Sequence, residues 1–132
     1  MSLGYGGGCR KVAEDENFVL YEYFSYNLSF EDREKIFDGL IMIKKSSLIE
    51  PERREKFRRM PSGRRKKFTK IILQEVPFEE LIDSGEVQIE NCSHAWKFFP
   101  NGVDFIAKYL CVEIFRYYQR EGTLPNKWGL FV

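Results

Sequence analysis

The chain has 132 residues, of which 43% are apolar and 16% aromatic, a composition typical of a folded protein rather than a disordered one. Its formal net charge of +1 argues at first against a nucleic-acid-binding protein. The apolar runs are far shorter than the ~18 residues of a membrane span, and the first residues lack the apolar segment of a secretory signal, so we expect a soluble, cytoplasmic protein.

The N-terminal segment, residues 1–16, contains the sequence GYGGG. Glycine loses much backbone entropy when it is ordered and offers no side chain for packing, so this segment predicts a mobile Gly-rich leader. It does not predict a phosphate-binding loop, because it lacks both the GK[ST] ending of a P-loop and the GxGxxG pattern of a dinucleotide-binding turn. We therefore place a single α+β domain at residues 17–132.

Two strands are predicted after the leader. The run NFVLYEYFSYN, which begins at Asn17, is rich in β-branched and aromatic residues and has apolar groups on both alternating faces. That pattern favours a largely buried strand. The run IFDGLIMIKK, which begins at Ile36, predicts a second strand that pairs antiparallel with the first.

The next part of the chain combines many cations with a PSG turn. Pro51 suits the first position of a helix, and Glu52 and Glu55 suit the positive N-terminal end of the helix dipole. The residues before the turn therefore predict a short helix. After the turn, the run KFTKIILQEV, which begins at Lys67, predicts a third strand.

The remaining sequence predicts two helices and two or three strands. PFEELIDSG predicts a short helix that ends at Gly85, and EVQIENCSHAWKFF predicts one long strand or two short ones. After the PNG turn, GVDFIAKYLCVEIFRYYQREG predicts the principal helix, with Asn101 as its cap and Asp104 at its positive end. NKWGLFV predicts a last strand.

This order of elements lacks the regular alternation of strand and helix that a doubly wound fold requires. It predicts an α+β fold with a mostly antiparallel sheet of four to six strands, packed by one long C-terminal helix, with one or two short helices in the connections. The principal helix has a broad apolar band, which is typical of a helix that lies across a sheet.

Charge is strongly segregated along the chain. Residues 51–70 contain ten Lys or Arg and two acidic residues, a net charge of +8. The other 112 residues contain 11 basic and 18 acidic residues, a net charge of −7. Clustered cations attract anionic partners, so this segment is the strongest functional signal. The partner-binding residues that we select from it are Arg53, Arg54, Arg58, Arg59, Arg64, Arg65, Lys66 and Lys67.

Catalysis and metal binding have little support in the sequence. The single histidine, His94, lies two residues from Cys92, so both side chains would share one face of a strand. Because cysteine is common in protein cores, we interpret Cys92 as a packing residue and the protein as a non-enzyme, with a Cys92 and His94 site as the remaining enzyme hypothesis. Cys9, Cys92 and Cys111 form no CxxC pair, and we expect no metal and no cofactor.

Two functions compete for segment 51–70. The first is a small non-catalytic interaction protein that binds an acidic protein surface, or a second copy of itself through the acidic segment 75–90. The alternative is a nucleic-acid-binding protein that uses the same basic segment and stacks exposed aromatic rings on single-stranded bases. A solvated connection without a partner is the structural interpretation against which both functions are weighed. The aromatic residues considered for stacking, against a role in the core, are Trp96, Phe98, Phe99, Tyr109, Phe115, Tyr117, Tyr118 and Trp128.

Overall fold

The computed structural model describes residues 5–27, 36–93, 95, 97 and 101–131. In chain order its strands and α-helices are β1 (Tyr5–Glu14), β2 (Phe18–Asn27), β3 (Gly39–Lys44), β4 (Glu52–Arg59), β5 (Arg65–Ile72), α1 (Phe78–Ser84), β6 (Val87–Glu90), α2 (Phe105–Glu121) and β7 (Lys127–Phe131). The predicted α+β class is confirmed. Within this described part, the strands number seven and form two sheets, where the sequence predicted a sheet of four to six strands.

The larger sheet has the strand order β6-β3-β2-β1-β7, and every neighbouring pair is antiparallel. The predicted antiparallel pairing of the first two apolar runs is confirmed, because they form β2 and β3. Alternate residues of each strand face opposite sides of the sheet. In β2 the residues Val19, Tyr21 and Tyr23 are completely buried, and their partners in β3 are Ile43, Ile41 and a glycine.

Helix α2 covers the face of the sheet on which these residues lie. Its completely buried residues Ile106, Leu110 and Ile114 follow the spacing of one helical face and join the same core as β2 and β3. Each fully buried aliphatic side chain stabilises the folded state by about 1.5–3 kcal/mol. The broad apolar band predicted for the principal helix therefore packs across the sheet as expected.

The start of α2 is tied to the sheet by buried hydrogen bonds. Asp104, not Asn101, caps the helix: its side chain accepts a hydrogen bond from the Ile106 amide at 3.0 Å. Its second carboxylate oxygen accepts one from the Tyr23 hydroxyl at 2.8 Å, and that hydroxyl accepts one from the Cys92 amide at 3.0 Å. Burial and the nearby carboxylate raise the pKa of Tyr23 above its ordinary value.

The prediction of a mobile leader over residues 1–16 is wrong for Tyr5–Glu14, which form β1 between β2 and β7. Residues 1–4 lie outside the described part. The glycines that suggested mobility permit close packing instead. A Cβ atom on Gly7 would clash with the Phe24 carbonyl oxygen and lie 2.6 Å from the Ile106 Cγ2 atom, so only glycine lets α2 approach this strand.

The short helix predicted before the PSG turn is also wrong, because Glu52–Arg59 form strand β4. A helix of that length is marginal in water, and favourable side-chain pairs along it contribute only about 0.2–0.5 kcal/mol each. In strand β4 the backbone is paired instead with Arg65–Ile72, which overlaps the third strand predicted from Lys67 onward and belongs to the smaller sheet.

The predictions for the C-terminal half are mostly confirmed. Helix α1 ends at Gly85 in the left-handed conformation, and the last predicted strand is β7. The prediction of one long or two short strands after α1 is confirmed only for Val87–Glu90; residues 94, 96 and 98–100 lie outside the described part. No helix in the described ranges is both long and apolar enough to cross a membrane.

Substitution of Gly7 by alanine should destabilise the fold, because the new methyl group overlaps both the sheet backbone and α2. Overpacking of this kind costs about 1–3 kcal/mol, measured as the free energy of unfolding in urea. The matched control is Gly129→Ala in the adjacent strand, where a Cβ would meet only the Gly7 carbonyl oxygen at 3.8 Å. Equal stabilities of the two variants would contradict the role assigned to Gly7.

Candidate functional site

The basic segment forms a β-hairpin, which we call the basic hairpin and define as residues 52–72. Its strands β4 and β5 pair from Glu52 with Ile72 to Arg59 with Arg65. The connecting turn is closed by hydrogen bonds from the Met60 amide to the Arg64 carbonyl at 2.7 Å and from the Gly63 amide to the Met60 carbonyl at 2.8 Å. Gly63 has φ of 86°, a conformation that favours glycine.

Both faces of the basic hairpin are open to solvent. Every residue from Glu52 to Ile71 is exposed, and Ile72 is half-buried. Strands of this length extend for about 26 Å at ~3.3 Å per residue, so the hairpin is a long and narrow arm. An isolated two-stranded hairpin is only marginally stable in water, and its stability therefore depends on how its ends are held.

Helix α2 holds both ends of the arm with two consecutive residues. The buried side chain of Gln119 accepts a hydrogen bond from the Gln74 amide at 2.6 Å and donates one to the Gln74 carbonyl at 3.1 Å. The Tyr118 hydroxyl donates a hydrogen bond to the Glu50 carboxylate at 2.7 Å. That bond is the main reason why the pKa of Tyr118 is raised. The chain is thus fixed two residues before β4 and two residues after β5.

The strand register sorts the hairpin side chains into two faces, because residues paired across an antiparallel ladder point to the same side. One face, called the Phe68 face, carries Glu52, Arg54, Lys56, Arg58, Lys66, Phe68, Lys70 and Ile72. The other, called the Phe57 face, carries Arg53, Glu55, Phe57, Arg59, Arg65, Lys67, Thr69 and Ile71. Cations therefore occupy both faces.

Each face has one acidic residue, and each acid is engaged by a cation of the same face. The Arg54 guanidinium lies 2.7 Å from the Glu52 carboxylate, and the Lys67 ammonium lies 2.9 Å from the Glu55 carboxylate. Such exposed pairs contribute little to stability. Of the ten cations of segment 51–70, the other eight form no ion pair with any residue that the structure describes.

Several of these cations lie directly opposite one another. Arg59 pairs with Arg65 across the two strands, and Arg58 pairs with Lys66. Like charges in opposite positions destabilise a sheet. The arm therefore carries a repulsion that an anionic ligand would relieve.

Each face of the arm also presents an aromatic ring. Phe57 is 63% exposed and Phe68 is 41% exposed, whereas the aromatic residues of β2 on the core face of the larger sheet are fully buried. Met60, next to the turn, is exposed as well. Exposed rings among cations are the combination that stacks on or packs against nucleobases.

All eight residues selected from the sequence lie on the basic hairpin or in its turn, and all are exposed. Their role in binding stays a prediction. The selection missed Lys56, Lys70 and the two phenylalanines, whose positions follow from the strand register. If ERREKFRR and RKKFTKII had both been interpreted as strands, their alternate residues would have grouped these side chains by face. The helix predicted for ERREKFRR does not have a two-residue period.

The other aromatic candidates that the structure describes make contacts within the fold. Phe115 is completely buried, and the rings of Tyr117 and Trp128 contact each other at a centroid distance of 5.7 Å. Tyr109 is exposed, with its ring 4.6 Å from that of Phe105. The candidates Trp96, Phe98 and Phe99 lie outside the described side chains.

A groove of about 940 Å³ lies along β1, β2 and β7. Aromatic rings that the sequence analysis did not select line it, among them Phe24 and Phe37, whose centroids are 4.8 Å apart. The Arg10 guanidinium carbon lies 4.0 Å from the centre of the Phe37 ring. The rings of this groove are thus held by contacts with each other and with a cation.

The cysteines lie in the core. Cys92 is buried, and its sulfur lies 3.3 Å from the Ser25 hydroxyl and 3.5 Å from the Asp104 carboxylate. Its predicted partner, His94, lies outside the described part, so the enzyme hypothesis is untested. Burial raises the pKa of Cys9 to about 12 and the pKa of Cys111 above its ordinary value, which keeps both as unreactive thiols at neutral pH.

The acidic residues around α1 do not form a compact site. Glu79, Glu80, Asp83 and Glu90 are exposed, and Glu86 is half-buried. Among the described residues, no group of three or more His, Cys, Asp or Glu side chains is arranged to hold a metal ion. These carboxylates therefore form a solvated acidic surface in the part of the chain that is described.

Comparisons of the chain with protein-family models, with curated proteins and with solved structures found no match. The geometry and charge of the basic hairpin are therefore the main indications of function.

Replacement of Gln119 by leucine should loosen the arm, because the amide and carbonyl of Gln74 lose their partner. A typical intramolecular hydrogen bond contributes about 0.5–1.5 kcal/mol to stability. We expect a lower free energy of unfolding and faster hydrogen exchange of the Gln74 amide. The control is Gln88→Leu, because Gln88 is exposed on β6 and its side-chain amide lies 3.5 Å from the Gly85 carbonyl oxygen, a long contact. Unchanged exchange at Gln74 would contradict the anchoring role.

Proposed function

We propose that the protein binds nucleic acid through the basic hairpin, with its cations on phosphates and with Phe57 and Phe68 against bases. One observation carries this proposal: eight cations without ion-pair partners among the described residues lie on an exposed arm. Phosphate recognition by Lys and Arg supplies most of the affinity of non-specific nucleic-acid binding.

The repulsion inside the arm supports a role in binding. A solvated connection has no need of like charges in opposite positions, such as Arg58 with Lys66, and would be more stable with mixed charges. Anchoring of the arm by Tyr118 and Gln119 limits the entropy that is lost on binding, because its two ends are already fixed. The hairpin thus keeps like charges in opposite positions although they repel each other, and it is anchored at both ends. Both features are expected of a surface that binds anions.

Two features of the sequence speak against nucleic-acid binding: acidic residues lie among the cations of the arm, and the rest of the chain has a net negative charge. The geometry weakens both objections. Glu52 and Glu55 are interleaved with the cations, but each is paired on its own face and does not interrupt the remaining eight. The excess acidic charge includes exposed residues of α1, a different element from the arm. A ligand that follows the arm would meet mainly positive potential.

The second candidate function is the non-catalytic binding of an acidic protein surface, including a second copy of this chain. The exposed carboxylates of Glu79, Glu80, Asp83 and Glu90 favour it, because they could oppose the basic hairpin of a neighbouring molecule. Charge complementarity of this kind would accelerate association more than it would increase affinity.

Binding of fluorescently labelled DNA and RNA, followed by anisotropy, tests the first proposal. If six to eight cations contact phosphates of duplex DNA, log K should fall with log salt concentration with a slope of about −5 to −7. The variant Arg65→Gln should lower the magnitude of that slope by about 1. The control Arg120→Gln removes an exposed cation of α2 and should leave the slope unchanged. Absence of binding at low salt would reject the proposal.

Sedimentation velocity tests the second candidate. Self-association through opposite charges should appear at low salt and disappear as salt is added, because exposed charges are screened. Replacement of Glu79, Glu80 and Asp83 by glutamine should abolish it while leaving nucleic-acid binding intact. A monomer at every salt concentration would exclude self-association.

A further inference from the structure

We infer that the basic hairpin enters the major groove of double-stranded DNA and uses both of its faces at once, one toward each phosphate wall. This inference rests on the proposed function and names the ligand of the same surface. It starts from the distribution of cations over the two faces, which the strand register defines.

The two faces are nearly equal in charge. On the Phe68 face, Lys56, Arg58, Lys66 and Lys70 form no ion pair with described residues. On the Phe57 face, the same is true of Arg53, Arg59 and Arg65. A single strand that lies flat on a ribbon contacts one face, so it would leave half of these cations in water. A ligand with phosphates on both sides uses them all.

The dimensions of the arm fit such a ligand. Sheets pack ~10 Å apart face to face, which sets the thickness of a ribbon with its side chains, and the major groove of B-form DNA is about 12 Å wide and admits a two-stranded β-ribbon. Arg and Lys side chains extend from both faces of the ribbon, so phosphates on opposite walls are within their combined span. The arm is about 26 Å long, which is most of the ~34 Å of one helical turn.

The choice of DNA over duplex RNA follows from groove shape. The major groove of A-form RNA is deep and narrow, and its minor groove is wide and shallow, so neither provides two walls at the separation that this ribbon needs. The exposed rings are also compatible with DNA, since phenylalanine makes apolar contact with the methyl group of thymine in the major groove. Phe57 and Phe68 place one such ring on each face.

A pair of charge-matched variants tests the inference. The first carries Arg53→Gln, Arg59→Gln and Arg65→Gln on the Phe57 face. The second carries Lys56→Gln, Arg58→Gln and Lys66→Gln on the Phe68 face. Each removes three cations that have no described ion-pair partner, and each removes both members of one of the two opposing pairs next to the turn. A third variant, with Lys44→Gln, Lys97→Gln and Arg120→Gln, makes the same change of net charge at exposed positions outside the hairpin.

The readout is the salt dependence of binding to a DNA duplex of about two helical turns. Both hairpin variants should lower the magnitude of the log–log slope by about 2.7 and weaken binding at least about tenfold, while the third variant should match the wild type. Circular dichroism and the urea midpoint of each variant verify that the fold is retained. The wild type should also bind the duplex more tightly than single-stranded DNA or duplex RNA of equal length.

The possible results distinguish a failure of the proposed nucleic-acid binding from a failure of the proposed insertion into the major groove. A wild-type protein that binds no nucleic acid at low salt overturns the proposed function. Binding that is weakened by only one of the two hairpin variants shows that the arm presents a single face, and it overturns the groove inference alone. Tighter binding of single-stranded DNA or of duplex RNA overturns the inference in the same way. Equal losses from both faces on duplex DNA support it.

Discussion

Helix α2 is the element on which both parts of the molecule depend. Its buried face, with Ile106, Leu110 and Ile114, packs on the larger sheet and supplies much of the core. Its last turns carry Tyr118 and Gln119, which hold the two ends of the basic hairpin. The hydrophobic packing that holds the helix on the sheet therefore also holds the arm, although the residues of the arm from Glu52 to Ile71 are exposed.

Because the stabilising contacts and the charged surface lie in different parts of the molecule, the strongly charged hairpin can remain folded. The repulsion between opposing cations such as Arg59 and Arg65 acts locally, while the stabilising contacts lie in another sheet. The buried amide of Gln119 makes two hydrogen bonds to one backbone unit, so it sets both the position and the direction of the chain there. The buried Gln119 side chain thereby positions the exposed faces of the hairpin, although its two hydrogen bonds are to Gln74, outside the hairpin.

Much of the larger sheet could be predicted from the sequence because its signals are local. The β-branched and aromatic residues of β2 and the glycine at the end of α1 each favour the local conformation that they adopt. The conformations of Tyr5–Glu14 and Glu52–Arg59 could not be predicted, since both depend on distant partners: α2 packs against Gly7, and β5 supplies the ladder for β4. The cluster of cations was visible in the sequence, but its division into two faces required the register.

The separation of the arm from the core also affects how this protein can change. Residues on the two outward surfaces of the ribbon contribute little to the packing of the larger sheet, so most replacements there leave the scaffold intact. Substitutions on the basic hairpin can therefore change which ligand is bound, one residue at a time, without loss of the fold. Tyr118 and Gln119 are the exception, because they hold the two ends of the arm and a change at either residue would alter how the whole arm is positioned.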